Sequence, residues 1–390
     1  MRNCSTSSRL PSLDGWRALS ILMVLGEHTG WFVSDTEKPL FHWIFDGNLG
    51  VRFFFVISGF LITWLLLQET NQSRRINLKY FYVRRFLRIL PVYYMFVLVL
   101  LGLQLFTQFK ETTAGWLGML TFTRNFMDAS FTSAHIWVLS VEAQFYLIWP
   151  SLLVLLSRRS IRVKAIILAI PICTAPIFRV GNYIFCKSHQ HLLRGLNGIH
   201  LKPAFLERVF SFGSFFCYFD SLAFGCLCAI LLANKQNLVA SIFKQRRGVM
   251  FVAALLLVVT PHLAPHVMPH VFTNLTITTV ARIVLLPFGQ SFQALGFSLL
   301  LLHSLIDPDW CVYRILNWKW VGWIGVLSYS LYIWQQIFWS RPWMGTEQWK
   351  DVQNSSWAWY WLIPTFAVAI ISYYGLERPL FRLRSYFRHA

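Results

Sequence analysis

Two ionisable side chains, Arg17 and His28, stand eleven residues apart in the first long apolar stretch of the chain. Eleven residues of α-helix make three turns plus about 20°, so both side chains lie on one helical face, about 16 Å apart along the axis. Ionisable groups inside apolar helices cost free energy and usually have a function. The pair predicts an arginine at a membrane boundary and a histidine at depth, but snorkelling of Arg17 and a plain interhelical hydrogen bond from His28 fit equally well.

Ionisable groups recur in later apolar stretches. Arg85 and Arg88 are one helical turn apart and can clamp an anion together. Glu142 places a carboxylate inside another apolar stretch. Histidine and glutamate are the side-chain types most often used to move protons in catalysis. The residue types therefore allow anion binding and proton transfer within a membrane.

The composition is that of an integral membrane protein. Of 390 residues, 56% are hydrophobic and 13% are charged, whereas an average soluble domain is roughly 25% charged. The 35 Lys and Arg residues exceed the 16 Asp and Glu residues and give a formal net charge of +19. A nucleic-acid-binding protein can share that charge, but not 18 Trp and 35 Phe residues in apolar runs. We predict an all-α, polytopic transmembrane helical bundle without a nucleic-acid partner.

About ten apolar runs are long enough to cross a bilayer, which takes about 17 to 25 residues. The predicted spans are 15–33, 48–68, 89–107, 136–157, 163–180, 211–233, 248–264, 283–304, 321–340 and 357–375. If Arg17 and Lys164, which lie near span ends, are counted with the face that carries both termini, 23 Lys and Arg residues fall on that face and 10 on the opposite face. Because cytoplasmic connections are rich in Lys and Arg, both termini are predicted to be cytoplasmic. We expect one domain over 1–390, with short tails at roughly 1–14 and 378–390.

Taken in order, these features resemble the acyltransferase-3 family of integral membrane O-acyltransferases over nearly the whole chain. The residues that carry the resemblance are Arg17 with His28, Gly50 to Phe60, Arg85 and Arg88 before Pro91, Trp137 to Tyr146, Ser328 to Trp334, and Glu377 to Pro379. Many members have a histidine after the last tryptophan of the fifth motif, where this chain has Gln335. The chain is similar to the stand-alone form of the family, without an appended hydrolase-like domain.

The resemblance implies transfer of an acyl group, usually acetyl, from cytoplasmic acyl-coenzyme A to a hydroxyl of a glycan, glycolipid or lipid-linked sugar. The expected location is a bacterial inner membrane, with membrane lipid around the bundle. Coenzyme A carries several phosphate charges, and Arg17, Arg85 and Arg88 are the expected donor-binding residues. Its pantetheine arm is about as long as the distance from Arg17 to His28. We expect acetyl-CoA or another acyl-CoA as co-substrate and no metal; the oligomeric state is left open.

Two residues are candidates for the general base that takes the proton of the acceptor hydroxyl. His28 is one of them, because an unperturbed histidine titrates near neutral pH. Glu142 either orients His28 or acts as the base itself, because the protonation of a buried carboxylate depends on its surroundings. A covalent acyl-enzyme is not required, since Ser58 and Ser140 have no base at a fixed spacing and buried serines usually form interhelical hydrogen bonds.

Another class of membrane protein fits part of the pattern. Ten spans with buried ionisable residues and broken helices also describe a proton-coupled transporter or flippase for a glycan or small molecule. A transporter is expected to repeat its pattern of buried charges, and the second half of the chain does not repeat it. A histidine cluster at His262, His266 and His270 alternates with prolines that predict no regular helix there, so no metal site is assigned to it.

Overall fold

All regular structure in the described part of the chain is helical. The computed structural model describes residues 10, 12–30, 41, 43–73, 76–127, 130–195, 215–271, 275–344 and 358–383. The helices are α1 (Leu13–Gly30), α2 (Gly47–Ser73), α3 (Leu78–Phe106), α4 (Thr113–Leu120), α5 (Trp137–Leu155), α6 (Ile161–Gly195), α7 (Phe215–Asn234), α8 (Gln236–Gln245), α9 (Arg247–Val271), α10 (Leu275–Ile306), α11 (Cys311–Arg314), α12 (Lys319–Ser340), α13 (Leu362–Ser372) and α14 (Arg378–Leu383). Short 3-10 turns precede α5, and a π-helical turn joins α13 to α14.

Helices α2 and α7 form the centre of the bundle. In each, 72% of the most apolar 18-residue window is buried inside the protein, compared with 28% for α3. The two helices approach each other at their backbones, because a Cβ at Gly59 would meet the carbonyl oxygen of Leu222, and one at Gly225 would meet that of Val56. Small residues at such crossings allow the close packing that holds helices together in lipid.

Helix α1 packs between α2 and α12. Gly325 of α12 lies directly against the carbonyl oxygen of Asp14 at the start of α1, where a Cβ would have no room. At the other end, Gln335 of α12 hydrogen-bonds to His28. The two helices are therefore parallel and in close contact over most of α1. We call this contact the α1–α12 seam, and it is the element that places Arg17 and His28.

Each of the ten predicted apolar runs overlaps a helix, but fewer helices are both long and apolar enough to cross a membrane. Five meet both criteria: Gly47–Ser73, Leu78–Phe106, Phe131–Leu155, Ile161–Asn182 and Phe215–Asn234. A sixth is obtained if Pro287–Ile306 and Cys311–Asn317, bent by 92° at their junction, count as one span. The described part of the chain therefore has five to six candidate spans.

The predicted count of ten spans and the location of the termini stay predictions. Helix α1 is not among the five because it carries Asp14, Arg17 and Glu27 within its 18 residues. Serine, tyrosine and glutamine residues likewise make α12 less apolar. The predicted tails lie largely outside the described residues.

Proline does not interrupt the helix that carries the histidine cluster. Helix α9 continues to Val271 through Pro261, Pro265 and Pro269, so the break predicted there is wrong. Prolines spaced by four residues fall along one side of a helix, and the hydrogen bonds they remove are confined to that side. Membrane helices tolerate such prolines because neighbouring helices and local backbone adjustments satisfy the freed backbone groups.

One member of the histidine cluster has a described side chain. The Nε2 atom of His262 lies 2.8 Å from the carbonyl oxygen of Trp43, and its Nδ1 atom lies 3.4 Å from a carboxylate oxygen of Asp46. The side chains of His266 and His270 lie outside the described residues. His262 thus ties α9 to the segment that leads into α2.

Candidate active site

Four of the five predicted site residues, Arg17, Arg85, Arg88 and Glu142, line one cavity. Helices α1, α2, α3, α5 and α12 form its wall. The other lining side chains are Phe54, Ile57, Ser58, Leu61, Ile62, Ile89, Val138, Leu139, Tyr146, Ser328, Tyr329 and Tyr332. Three arginines and one glutamate give this lining an excess of positive charge, so the cavity suits an anionic ligand. We call it the arginine cavity.

Helix α3 positions Arg85 and Arg88 one turn apart. Arg85 is buried, with its guanidinium carbon 5.5 Å from the ring centroid of Phe81 and 5.9 Å from that of Tyr146. Cation–π contacts of this kind hold a flat guanidinium against aromatic faces. The Tyr329 hydroxyl of α12 donates a hydrogen bond to a backbone carbonyl of α3 at 2.7 Å. The arginine pair is thus carried on a helix that is fastened to the α1–α12 seam.

Glu142 supplies the negative charge of the arginine cavity. The Ser58 hydroxyl donates a hydrogen bond to its carboxylate at 2.5 Å and links α2 to α5. Arg88 and Arg17 are close enough to act on the carboxylate electrostatically, and Tyr146, one helical turn away, also hydrogen-bonds to it. Glu142 therefore helps to hold the arginines in place as well as being a candidate base.

A second carboxylate, that of Glu377, faces the same arginines. It ends the π-helical turn Tyr373–Glu377, a geometry that adds one residue to a turn and is frequent at functional sites. Glu377 is buried and accepts a hydrogen bond from the Ser330 hydroxyl of α12. Arg88 and Arg17 act on it electrostatically. A carboxylate at the end of an apolar stretch was the sequence signal that could have predicted this position.

His28 lies outside the lining of the arginine cavity, farther along the α1–α12 seam. Its Nδ1 atom is 2.6 Å from Oε1 of Gln335. Its ring packs on Trp339 with the centroids 4.7 Å apart, and the Trp339 indole N–H donates to the backbone carbonyl of His28 at 3.0 Å. Among the described residues, Gln335 rather than Glu142 is the hydrogen-bond partner that orients His28.

One face of α12 connects the cavity to His28. Ser328, Tyr332 and Gln335 follow one another at spacings of four and three residues, which places them on one side of the helix. Ser328 and Tyr332 line the cavity, and Gln335 contacts His28 only about 4.5 Å farther along the helix axis. The Tyr332 hydroxyl donates to the carbonyl oxygen of His135 at 2.8 Å and fixes this face. The spacing of these polar residues was visible in the sequence, which predicted no role for them.

Comparison with known proteins gives a family. A family described as an acyltransferase domain matches residues 10–377. Over 95% of its length, the chain is 24% identical to peptidoglycan O-acetyltransferase OatA of Listeria monocytogenes, of which it covers 56%. It is 25% identical, again over 95% of its length, to "Putative peptidoglycan O-acetyltransferase YrhL" of Bacillus subtilis, of which it covers 55%. The chain thus spans little more than half the length of these relatives. No solved structure matches it.

Proposed function

Because the chain belongs to this acyltransferase family, we propose that it transfers an acyl group, most simply acetyl, from acyl-coenzyme A to a hydroxyl of a glycan. The observation that carries the proposal is the arginine cavity at one end of the seam that holds His28. The names of the relatives favour peptidoglycan or its lipid-linked precursor as the acceptor. The apolar helices and the bacterial source of these relatives favour a bacterial plasma (inner) membrane as the location.

The charge of the arginine cavity supports a polyanionic donor. Arg85 and Arg88 can hold phosphate oxygens with parallel hydrogen bonds, as guanidinium groups do well. Arg17 adds a third cation at the start of α1, the end that the distribution of Lys and Arg residues predicts to be cytoplasmic. A donor phosphate bound here leaves the pantetheine arm free to extend along the α1–α12 seam toward His28.

The reaction we assign to the seam is direct transfer. His28 takes the proton of the acceptor hydroxyl while the hydroxyl oxygen attacks the thioester carbonyl carbon. The new carbon–oxygen bond forms, the carbon–sulfur bond breaks, and the protonated imidazole returns the proton to the departing thiolate. The products are an ester on the glycan and free coenzyme A, so no oxidant, metal or covalent enzyme intermediate is required.

We assign the role of base to His28, and Glu142 is the alternative. Inside the arginine cavity, the carboxylate of Glu142 accepts a hydrogen bond from Ser58 and interacts electrostatically with Arg17 and Arg88. His28 lies outside the lining of the arginine cavity, and the neutral side-chain amide of Gln335 orients its ring. Base catalysis of this kind contributes about 10²- to 10⁴-fold to a rate, which sets the size of the effect to be measured.

The test uses the purified full chain in lipid nanodiscs with acetyl-coenzyme A labelled in the acetyl group and peptidoglycan fragments or their lipid-linked precursor as acceptors. Wild-type protein is expected to move label to carbohydrate as an ester that mild alkali releases. His28→Gln is expected to lower that rate about 10²- to 10⁴-fold. His262→Gln makes the same change outside the seam and serves as the matched control.

Two results would contradict the proposal, one the reaction itself and the other the choice of base. Vesicle uptake of a glycan or coenzyme A without any ester formation would make the protein a transporter. If His28→Gln transfers label within about threefold of wild type, the assignment of His28 is wrong. If Glu142→Gln in addition lowers kcat without raising KM for acetyl-coenzyme A, Glu142 is the base. Thermal melting of each variant, measured in the same nanodiscs, separates loss of chemistry from loss of folding.

A further inference from the structure

The hydrogen bond between His28 and Gln335 fixes the direction of the imidazole ring and also determines which ring nitrogen carries the proton. The amide oxygen Oε1 of Gln335 lies 2.6 Å from Nδ1 of His28, and an amide oxygen can only accept a hydrogen bond. The proton of a neutral imidazole must then be on Nδ1. The other nitrogen, Nε2, is left with its lone pair, which is the form that accepts a proton.

We infer that Gln335 is a positioning residue for His28, which holds the Nδ1-protonated tautomer so that Nε2 receives the proton of the acceptor hydroxyl. The inference rests on the proposed function, in which His28 is the base. It also gives a role to the position at which this sequence departs from many of the family members it resembles. A histidine ring nitrogen at position 335 would accept the same Nδ1–H bond, so glutamine is a chemical replacement rather than a loss.

The surroundings hold both partners in this arrangement. The side chain of Gln335 is fully buried, and the ring of His28 is packed against Trp339. The indole of Trp339 in turn donates to the backbone carbonyl of His28. On the next position of α12, the amide nitrogen of Gln336 donates to the carbonyl oxygen of Phe131 at 3.0 Å and anchors the helix. Rotation of the His28 ring would break its contact with Trp339, and rotation of the Gln335 side chain would break its hydrogen bond to His28.

The amide nitrogen of Gln335 allows a clean substitution. Within the described residues, Nε2 of Gln335 has no hydrogen-bond partner. Gln335→Glu therefore keeps an acceptor oxygen for Nδ1 of His28 and removes no contact made inside the described bundle. Gln335→Leu removes the acceptor at similar size. Gln336→Leu makes the same apolar change at the adjacent buried glutamine, whose partner is Phe131, and is the matched control.

The first measurement is independent of activity. Full-length protein carrying ¹⁵N-labelled histidine is reconstituted in lipid bilayers, and the His28 signals are assigned by their loss in His28→Gln. Protonated and unprotonated ring nitrogens resonate in separate ranges, so the spectrum reports the tautomer. We expect Nδ1 protonated in the wild type, Gln335→Glu and Gln336→Leu, and a mixture of tautomers in Gln335→Leu. A wild-type His28 protonated on Nε2, or an unchanged Nδ1-protonated spectrum in Gln335→Leu, would overturn the inference.

The second measurement is kinetic. Gln335→Leu is expected to lower kcat about 10- to 100-fold, the effect of losing one buried hydrogen bond to a reacting group, while KM for acetyl-coenzyme A stays within about twofold. Gln335→Glu and Gln335→His are expected to restore most of kcat. A structural role alone would lower the melting temperature and the yield of active protein without changing the tautomer. Full activity in His28→Gln would contradict the proposed base, whereas the tautomer spectrum would still decide the role of Gln335.

Discussion

Two clusters of arginine in the bundle differ in how their positive charge is compensated. In the cluster around Arg179, one guanidinium nitrogen lies 2.6 Å from a carboxylate oxygen of Asp220 and another lies 3.0 Å from the Ser291 hydroxyl. Two backbone carbonyls accept the remaining bonds at 2.8 and 2.9 Å. Ser291 also donates to the second carboxylate oxygen at 2.5 Å. Arg179 is thus paired directly with Asp220 in a hydrogen-bonded cluster across α6, α7 and α10.

The arginine cavity is not closed in this way. Arg17, Arg85 and Arg88 line it together with one carboxylate, that of Glu142. Glu377 acts electrostatically on Arg17 and Arg88, and a carboxylate oxygen of Asp14 lies 4.0 Å from Arg17. A buried charge is costly unless it is paired. The lining of the arginine cavity itself carries more cations than carboxylates, which suits an anion that arrives with a ligand, whereas the Arg179–Asp220 pair is explained by helix packing alone.

Asp220→Ala is the change expected to have the largest effect on this contrast. It leaves Arg179 buried without its counter-charge, which typically costs about 3 to 5 kcal/mol. We expect a large loss of thermal stability, measured by the melting of the full chain in nanodiscs. Arg88→Ala removes repulsion of Arg17 but also attraction to Glu142 and Glu377. Because these effects oppose each other, it is expected to change stability by less than about 1 kcal/mol. Equal destabilisation by the two substitutions would remove the distinction between the clusters.

The second-largest expected effect is weaker binding of the acyl-coenzyme A donor. Arg85→Ala and Arg88→Ala each remove a charged hydrogen-bond donor from the cavity, a loss of about 1.5 to 3 kcal/mol, so KM for acyl-coenzyme A is expected to rise about 10- to 100-fold at low salt. Because salt screens such attraction, the difference from wild type shrinks as salt is added.

The matched control for the donor experiment is Arg84→Ala. Arg84 is adjacent in sequence but pairs with Glu69 at 2.6 Å and is absent from the cavity lining. Its replacement is expected to change KM less than twofold. If Arg84→Ala and Arg88→Ala raise KM equally, general surface charge explains donor binding and the arginine cavity does not.

Another buried ion pair, Glu111 with Arg124, lies in the connection between α3 and α5. Glu111 lies 3.2 Å from a guanidinium nitrogen of Arg124 and accepts a hydrogen bond from Ser130 at 2.6 Å and another from Ser133. Burial raises the pKa of Glu111, but these hydrogen bonds and the charge of Arg124 outweigh it and hold the pKa below its ordinary value. The stabilisation is present above the ordinary pKa and is lost as pH falls through the folded-state pKa.

This acid sensitivity is expected to be the smallest of the three effects, because desolvation of the carboxylate opposes it. Melting temperature measured from pH 7 to about pH 2, through and below the ordinary pKa of 4.5, should fall for wild type more steeply than for Glu111→Gln, which has no carboxylate to protonate. Parallel curves for the two proteins would show that Glu111 does not contribute to acid stability.

Local spacing predicted much of the site. The eleven-residue interval places Arg17 and His28 on the same seam, and the one-turn spacing of Arg85 and Arg88 puts both in one cavity. Glu142 joins them there, as its position inside an apolar stretch suggested. These inferences depend on helical geometry within one segment, which the sequence specifies directly.

Contacts between segments were not predictable in the same way. Asp220 was visible as a polar residue in an apolar run, but its partner Arg179 lies on another helix 41 residues away. The sequence likewise shows Gln335 as a departure from a pattern, while its bond to His28 depends on how α12 packs on α1. Periodicity gives the face of a helix and leaves open which helix that face meets. The site helix α1 is also too rich in charged residues to pass as a span by composition.

The π-helical turn Tyr373–Glu377 makes the position of Glu377 depend on the number of residues between α13 and α14. A turn that is one residue wider than its neighbours is equivalent to a single-residue insertion into a regular helix. Each residue of a helix turns it by about 100°, so removal of Gly375 would rotate Glu377 away from Ser330 and from the arginines behind it. The charge balance of the cavity therefore depends on the number of residues between α13 and α14 as well as on their identity.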